Sequence, residues 1–335
     1  MNNPLVSVLI PFKNTEKFIS DCFNSIAAQK YQNWEVLAVN DNSTDDSLKI
    51  ANSYAEKDNR FKVYDNTGNG IIEALRLAHS KSNGKYITRM DADDVMTTYK
   101  LKVMVNALNK NGKGHLAIGK VSYFSDKGIG NGYARYEKWL NALTKKGINY
   151  SEIYKECVIP SPCWMVHRED LDMCGAFEPD RYPEDYDLAF RFYENGLKCI
   201  PCDEILHHWR DYENRTSRTS EHYAQNYFLD LKLYYFLKLE YIPERNLILW
   251  GAGNKGKSIA KALMEKNIDF YWVCDNPKKI GKSIYGKEMQ HFNTCDKLGN
   301  SQTIVTVANQ DAQKTIRGYF SRLNQAEMND FFFFC

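Results

Sequence analysis

Apolar residues in the first hundred positions form short runs separated by stretches with helical spacing. Val6–Ile10 form a near-continuous β-rich run that Pro11 ends, and Trp34–Val39 form a second such run. Shorter runs at Phe61–Tyr64 and Tyr86–Met90 predict two further strands. Strands that alternate with helices in this way predict an α/β fold, with a mostly parallel sheet and helices on both faces.

The helices and the middle of the chain give a less uniform pattern. Helices are predicted over Phe18–Ala28, after the capping residue Asp45, and over Ile71–His79. Between Gly112 and Trp164 the pattern becomes irregular, and the aromatic residues there suit either contact with a ligand or core packing.

The last third of the chain has its own alternation of helix and strand. A helix is predicted over Glu221–Glu244, and a new strand begins at Asn246. Phe270–Cys274 and Phe331–Phe334 predict further strands. We therefore expect a first domain over residues 1–220, a helical linker over 221–245 and a small α/β domain over 246–335.

Polar clusters stand where three of the predicted strands end. They are Lys13-Asn14, Asn40-Asp41-Asn42 and Asp91-Ala92-Asp93-Asp94. Open parallel sheets bind ligands outside the carboxyl ends of their strands. The sequence therefore predicts a functional site at this edge of the sheet.

The acids in these clusters suit two tasks. Alternate carboxylates such as Asp91 and Asp93 can hold a hard divalent cation together with phosphate oxygens, and Asp94 completes their turn. Asp41 can accept a hydrogen bond from the edge of a pyrimidine base. Each acid also has a simpler interpretation, because acids in turns cap helices and form Asx turns.

A third acidic segment follows Pro183, and a helix is predicted to begin near Glu184. Transfer of a group to an acceptor hydroxyl by single displacement needs a carboxylate that takes the proton of that hydroxyl, and desolvation in a cleft gives such a base a useful pKa. Asp185 and Asp187 stand in this segment. The alternative is that its acids only stabilise a helix N-terminus through the helix dipole.

Composition narrows the class of protein without pointing to a function. The chain has 335 residues and a net charge of +2, so no bulk field favours nucleic acid. We expect no signal peptide or membrane span, which predicts a cytoplasmic location. The nine cysteines are scattered, and the pair Cys199 and Cys202 lacks the second pair that a zinc knuckle needs.

Five segments together resemble family 2 glycosyltransferases of the GT-A fold. In chain order they are VSVLIPFKN (6–14), EVLAVNDNSTDDS (35–47), GKYITRMDADD (84–94), PEDYDLAFRFYENG (183–196) and HHWRDYENRTSRTS (207–220). The resemblance covers about two-thirds of the chain. It implies an enzyme that takes a sugar from a nucleoside-diphosphate donor, usually with inversion at the anomeric carbon.

The resemblance also implies roles for individual residues. It assigns Pro11 and Asp41 to the nucleoside, with Asn14 beside them, and Asp91 to the ribose-diphosphate region of the donor. It assigns Asp93 to a Mg²⁺ or Mn²⁺ ion.

Later segments supply the rest of the implied site. The resemblance assigns Asp185 as the general base. His208 and Arg210 match a polar segment that can close over the diphosphate, with His208 as a candidate metal ligand and Arg210 as a candidate donor contact.

Departures from the family pattern restrict the expected activity. Asn40 stands where a second acid is usual, and Thr97-Thr98-Tyr99 replace a common proline. Because a Gln-x-x-Arg-Trp signature and flanking membrane helices are missing, we expect transfer of one sugar per encounter. The expected acceptor is a saccharide or a lipid-linked saccharide in surface polysaccharide or lipopolysaccharide synthesis. Residues 246–335 carry twelve basic and eight acidic residues, which weakly favours peripheral contact at the inner face of the membrane.

The C-terminal module resembles a Rossmann-type βαβ unit. Gly251, Gly253 and Gly256 follow a strand and open a helix, and Asp275 lies about twenty residues further on. This pattern predicts a nucleotide site at the module, against the alternative of a structural or docking role. It leaves two competing functions open for the chain: an NAD(P)-dependent oxidoreductase and a non-catalytic sugar-nucleotide sensor.

Overall fold

The computed structural model describes residues 3–213, 215, 218 and 228–335. Packing divides the chain into two compact units, residues 1–150 with 158–215 and residues 151–157 with 216–335. The predicted boundaries at 220 and 245 stay predictions, because residues 219–227 lie outside the described part of the chain. Among the residues that are described, no helix has both the length and the apolar character that a membrane span requires.

The first unit alternates strands and helices as the apolar pattern predicts. Its strands are β1 (Val6–Phe12), β2 (Trp34–Asn40), β3 (Phe61–Asp65), β4 (Tyr86–Arg89), β5 (Val95–Met96), β6 (His115–Phe124), β7 (Trp164–His167) and β8 (Lys198–Arg210). Its helices are α1 (Ile19–Ala27), α2 (Ser47–Lys57), α3 (Ile71–Lys81), α4 (Lys100–Asn111), α5 (Asn131–Lys146), α6 (Arg168–Met173) and α7 (Glu184–Glu194).

These strands form one mixed sheet in the order β3-β2-β1-β4-β7-β6-β8-β5. The pairs β3-β2, β2-β1, β1-β4 and β6-β8 are parallel, whereas β7 runs antiparallel to both of its neighbours and β5 runs antiparallel to β8. The expected mostly parallel sheet is confirmed. Its parallel half brings the carboxyl ends of β1, β2 and β4 to one edge.

The central strand β1 is buried along its whole length and continues through Pro11 to Phe12. The expectation that Pro11 ends this strand is therefore wrong. Only Val6–Leu9 pair with β4, so Pro11 lies beyond that pairing and still aligns with Val39 of β2. A proline is tolerated where the strand loses no ladder hydrogen bond.

The irregular stretch between Gly112 and Trp164 conceals two regular elements, β6 and α5. Register shifts interrupt the pairing of β6 with β8 on either side of Lys120, which breaks the alternation that sequence reasoning looks for. The aromatic residues pack on one another, with Tyr123 5.0 Å and Tyr136 6.2 Å from the Trp209 ring, centroid to centroid.

The second unit has a smaller sheet in the order β11-β12-β10-β9-β13-β14. Its elements are α8 (Leu229–Leu239), β9 (Asn246–Trp250), α9 (Asn254–Glu265), β10 (Tyr271–Cys274), β11 (Ser283–Ile284), β12 (Lys287–His291), β13 (Ser301–Val305), α10 (Gln310–Arg322) and β14 (Phe331–Phe333). All neighbours except β11-β12 are parallel. With β9 central and the order reversing between β9 and β13, the Rossmann-like expectation is confirmed.

Residues 151–157 belong to this second unit although the chain on both sides of them belongs to the first. The Tyr154 ring stacks on Phe334 at 5.4 Å, and Lys232 of α8 donates a hydrogen bond to the Lys155 carbonyl. The helix predicted over Glu221–Glu244 is observed as α8 over Leu229–Leu239, so its predicted end at Glu244 is wrong. Residues 221–227 of that prediction lie outside the described part of the chain.

Candidate active site

The acidic turns predicted to form the site lie along one edge of the first sheet. Asp41 follows β2 and Asp91 follows β4, with β1 between these two strands. The Asp41 N–H donates a 2.8 Å hydrogen bond to the Phe12 carbonyl, which joins the ends of β1 and β2. From the usual spacing of adjacent strands, Asp41 and Asp91 lie roughly 10 Å apart across this edge.

Asp41 is buried and held by groups that leave part of its carboxylate available. Its Oδ1 accepts hydrogen bonds from Asn66 Nδ2 at 2.8 Å and from the Gly70 N–H at 2.9 Å. Its Oδ2 lies 3.6 Å from Lys13 Nζ, whose side chain is half exposed. The Asn40 side chain closes the turn after β2, because its Oδ1 accepts a 3.0 Å hydrogen bond from the Ser43 N–H three residues further on. The contact of Asp41 with a nucleoside stays a prediction.

Pro11 and Asn14 occupy different positions beside this corner. Pro11 is buried inside β1, whereas Asn14 is exposed and has a left-handed backbone conformation with φ 52°. Asn14 Oδ1 accepts a 2.8 Å hydrogen bond from the Thr44 N–H, so its side chain fastens the loop after β1 to the loop after β2. Its role in donor binding stays a prediction.

The turn after β4 is fixed by residues of β8 and the loop that follows it. Asp93 Oδ2 accepts a 3.0 Å hydrogen bond from the Tyr212 hydroxyl, and the Asp93 carbonyl accepts one from Arg210 Nε at 2.8 Å. Asp94 is fully buried and accepts from His207 Nε2 at 3.0 Å and from the Arg210 N–H at 2.7 Å. The side chain of Asp94 thus holds the turn in place, and that of Asp93 is only partly exposed.

The electrostatics of this turn favour a positive partner. Burial, with the neighbouring charges of Asp94 and Asp91, raises the pKa of Asp93 to about 7, while the Arg215 guanidinium acts to lower it. Burial likewise raises the pKa of Asp94 to about 7, again opposed by Arg215. Carboxylates crowded in this way are stabilised in their ionised form by an added cation.

His208 and Arg210 lie on the same face of β8, because side chains two residues apart in a strand point the same way. The Arg210 guanidinium lies between the rings of Phe18 and Phe124 and makes a 2.7 Å ion pair with Asp21. Burial lowers the pKa of His208, which favours the neutral imidazole that can bind a metal.

Within the described residues, no group of three or more His, Cys, Asp and Glu side chains is arranged to hold a metal by itself. A Mg²⁺ or Mn²⁺ ion at Asp93 would therefore depend on oxygens from outside the protein, such as donor phosphates. Such an ion is usually bound by one or two protein carboxylates, and phosphate oxygens of the substrate complete its coordination.

The three acids at the start of α7 have different hydrogen-bond partners. Glu184 Oε1 accepts a 2.8 Å hydrogen bond from Arg89 Nη1, and Asp187 binds Arg191 Nε at 2.8 Å. Asp185 Oδ1 accepts from the Tyr186 N–H. Burial and the adjacent Glu184 raise the pKa of Asp185 to about 7, and Arg89 opposes this shift. The role of Asp185 as a general base stays a prediction.

Arg89 connects the two acidic turns. Its Nε and Nη2 lie 3.2 and 3.1 Å from Asp91 Oδ1, and the same guanidinium binds Glu184. Asp91 also acts electrostatically on both Asp93 and Asp185. The turn after β4 and the start of α7 therefore lie beside one another at the edge of the sheet.

Comparisons with known proteins identify the family of the chain. The family model described as glycosyl transferase family 2 matches residues 7–174, which is half of the chain. The chain belongs to glycosyl transferase family 2. An uncharacterized glycosyltransferase of Haemophilus influenzae is 31% identical over 231 residues, which are 66% of this chain and 70% of that protein.

Solved structures establish the fold of this glycosyltransferase as GT-A. S. aureus TarS in complex with UDP-GlcNAc matches with a TM-score of 0.55 and 20% identity, over 71% of this chain and 68% of that one. The mannosyltransferase PcManGT from Pyrobaculum calidifontis, in complex with GDP-Man and Mn²⁺, matches with a TM-score of 0.51 and 19% identity, over 71% and 64% of the two chains.

Some of the predicted site residues of this glycosyltransferase lie inside the matched family region and others outside it. Pro11, Asp41 and the turn after β4 fall within residues 7–174, whereas α7 and β8 follow it. Sequence reasoning missed Arg89, Tyr212 and Arg215, although all three stand in segments that had been singled out. Their signal was a charged or hydroxyl side chain inside an otherwise recognised motif.

The glycines of the second unit surround a separate cavity of about 250 Å³ at the carboxyl ends of β9, β10 and β13. Its lining includes Gly251, Gly253, Asp275, Lys279 and Thr306. Gly256 is buried behind this lining in α9. In this glycosyltransferase the four predicted residues of the module are thus brought into one neighbourhood, and their role in binding a nucleotide stays a prediction.

Proposed function

We propose that this protein is a metal-dependent, inverting and non-processive glycosyltransferase that moves one sugar from a nucleoside-diphosphate donor to an acceptor hydroxyl. The observation that carries the proposal is the proximity of the turn after β4 to Asp185 at one sheet edge, with Asp41 two strands away. The structural neighbours hold UDP-GlcNAc or GDP-Man, which supports a sugar-nucleotide donor for this chain as well.

Donor binding is assigned to residues along the sheet edge. Asp41, with Pro11 and Asn14 beside it, would hold the nucleoside through the carboxylate oxygen that faces Lys13. Asp91 would accept from the ribose-diphosphate region, and Arg210 would pair with the diphosphate. The donor set fits a hard divalent cation, since Asp93 offers a carboxylate oxygen and His208 a neutral imidazole nitrogen. A Mg²⁺ or Mn²⁺ ion held by these two residues would supply positive charge that neutralises the leaving diphosphate.

The chemical step needs one proton acceptor, and Asp185 is proposed for it. The carboxylate takes the proton of the acceptor hydroxyl while that oxygen forms a bond to the anomeric carbon. The bond from this carbon to the diphosphate breaks on the opposite face, so the configuration inverts. A base whose pKa is about 7 is ionised in half of the molecules at neutral pH and still basic enough to take the proton.

The test is a donor screen with the purified chain, Mn²⁺ and a panel of saccharide acceptors, read out as released UDP, GDP or dTDP. Asp185→Asn is expected to retain donor binding and lose transfer by about 10²-fold or more, as for removal of a general base. Asp203→Asn is the control, because that carboxylate is largely exposed and pairs with Lys120. Undiminished transfer by Asp185→Asn would remove this residue from the mechanism.

We propose a saccharide or lipid-linked saccharide of surface polysaccharide synthesis as the acceptor, with the enzyme in the cytoplasm and in peripheral contact with the membrane. Transfer to a free saccharide, or to a lipid-linked saccharide in vesicles, supports this acceptor class. Donor binding without transfer to any acceptor would instead favour the sugar-nucleotide sensor.

A nucleotide site in the second unit is a separate candidate, supported by its cavity. The glycines there differ in what explains them. A Cβ at Gly256 would come within 2.1 Å of the Gly251 carbonyl oxygen, so close packing of helix and strand requires that glycine. At Gly253 a Cβ would meet nothing within 4 Å, and its φ of −79° suits any residue. The absent side chain at Gly253 leaves room for a ligand.

Calorimetry of the full chain with NAD(P), UDP and UDP-sugars tests this second site. Gly253→Leu fills the cavity and is expected to abolish a binding event that Asp41→Ala leaves unchanged. Binding of NAD(P) with oxidation of a co-substrate would support the oxidoreductase alternative. If Gly253→Leu changes no binding event, the cavity has no nucleotide role.

A further inference from the structure

Arg89 is the last residue of β4 and one of the most deeply buried charges of the first unit, with 5% of its surface exposed. Its guanidinium contacts Asp91 on one side and Glu184 on the other, at 3.1 and 2.8 Å. These two partners come from turns that lie about ninety residues apart in the sequence. Arg89, at the end of β4, therefore binds both turns through one guanidinium group.

The carboxylates around this guanidinium outnumber it. Three carboxylates, those of Asp91, Glu184 and Asp185, act on Arg89, and together they raise its pKa despite its burial. Buried carboxylates are costly unless a cation and hydrogen bonds compensate them. Arginine suits this position better than lysine, because its planar fork can bind two carboxylates in fixed directions at once.

We propose that Arg89 is a positioning residue that locks the donor-binding turn to the start of α7 and, through its balance with Glu184, controls the ionisation of Asp185. The inference rests on the proposed role of Asp185 as the base. Arg89 itself touches neither the reacting oxygen nor the anomeric carbon in this assignment, so its effect passes through Asp91, Glu184 and Asp185.

The sign of each contribution can be read from the surrounding charges. The charged groups that act on Asp185 are Glu184 from its own helix, and Arg89 and Asp91 from the end of β4 and the turn that follows. The two carboxylates raise the pKa of Asp185, and the guanidinium lowers it. Removing Arg89 and removing Glu184 should therefore move the ionisation of the base in opposite directions.

The experiment is the pH dependence of kcat/KM for sugar transfer, measured for wild type, Arg89→Gln, Glu184→Gln and the double variant. Arg89→Gln is expected to move the acidic limb to higher pH by roughly one unit or more, and Glu184→Gln to move it to lower pH. The double variant removes one charge of each sign, so its limb should return toward the wild-type position. Arg89→Lys, which keeps the charge, should show a smaller displacement with a raised donor KM.

A purely structural role predicts a different result. It would lower kcat/KM by the same factor at every pH and leave the limb where it is in the wild type, and that outcome would overturn the proposal. If Arg89→Gln does not fold, the opposed limbs of Glu184→Gln and Arg89→Lys decide the question. Failure of the proposed function is recognised separately, because Asp185→Asn would then keep its transfer activity whatever Arg89 does.

Discussion

The two units place different chemistry at the same topological position. In the first unit, the carboxyl ends of parallel strands carry a group of carboxylates with Arg89 between them. In the second unit, the equivalent edge carries a glycine turn and a small cavity, where Lys279 donates to the Ala252 carbonyl. Parallel α/β topology thus specifies where a ligand can bind, whereas the side chains at the strand ends determine which reaction is possible.

Removal of the cation should have the largest effect on sugar transfer. It should affect the chemistry of the first unit and not ligand binding by the second. Chelation with EDTA, or the substitution Asp93→Ala, is expected to lower transfer by about 10²-fold or more, because the leaving diphosphate loses charge neutralisation. Added Mn²⁺ should restore the chelated wild type and leave the variant inactive. Ligand binding to the second unit should stay unchanged. Full transfer in EDTA would contradict the metal dependence.

A substitution behind the cavity of the second unit should have the next largest effect, on the stability of that unit. Gly256→Ala places a Cβ against the Gly251 carbonyl and should lower the free energy of unfolding of the second unit by about 3 kcal/mol. Gly253→Ser is the matched control, because serine is a favoured helix N-cap and space is open there. Urea unfolding followed by tryptophan fluorescence measures both. Equal losses for the two variants would show that the close approach at Gly256 is not limiting.

The pH dependence of the wild type sharpens the contrast within the first unit. Since the pKa of Asp185 is raised to about 7, the base is protonated below that pH and kcat/KM should rise as pH increases through it. The raised pKa of Asp93 acts with the same sign, because a protonated carboxylate binds a cation poorly. Initial rates between pH 5.5 and 9 at saturating Mn²⁺ check this. A flat profile would show that neither carboxylate titrates in the reaction.

The smallest expected effect concerns the orientation of Asp93. Tyr212→Phe deletes the hydroxyl that donates to Asp93 Oδ2 and should weaken the apparent affinity for Mn²⁺ by about fivefold, the equivalent of one ordinary hydrogen bond. The measurement is the Mn²⁺ concentration that gives half-maximal transfer. Tyr99→Phe, on an exposed side chain, provides the control. An unchanged Mn²⁺ requirement would mean that this hydrogen bond does not orient the ligand.

Sequence reasoning succeeded where a local pattern determines a local structure. The buried runs at Val6–Ile10 and Trp34–Val39 became β1 and β2, and the glycines after Trp250 open α9 as expected. Pattern analysis failed over β6, because its register shifts against β8 are a tertiary feature. It also had no means of anticipating that residues 151–157 pack with the second unit.

The candidate site shows the same limit at the level of single residues. The acids were found because they stand directly after strands or at a helix start. Arg89 precedes such a turn by two residues, but its contact with Glu184 depends on how the chain returns after nearly a hundred positions. The buried group of Asp94, His207 and Lys100 is likewise assembled by folding, with Lys100 Nζ 3.4 Å from His207 Nδ1. No spacing of residues in the sequence predicts either contact.

The stacking of Tyr154 on Phe334 has a consequence for how this protein is made. A piece of chain within the family-matched region cannot complete its packing until residues far downstream have left the ribosome. During synthesis the emerging first unit therefore carries an unfinished aromatic segment. Truncations that remove β14 should consequently yield a first unit that aggregates more readily than the full-length protein, even with every acid of the sheet edge intact.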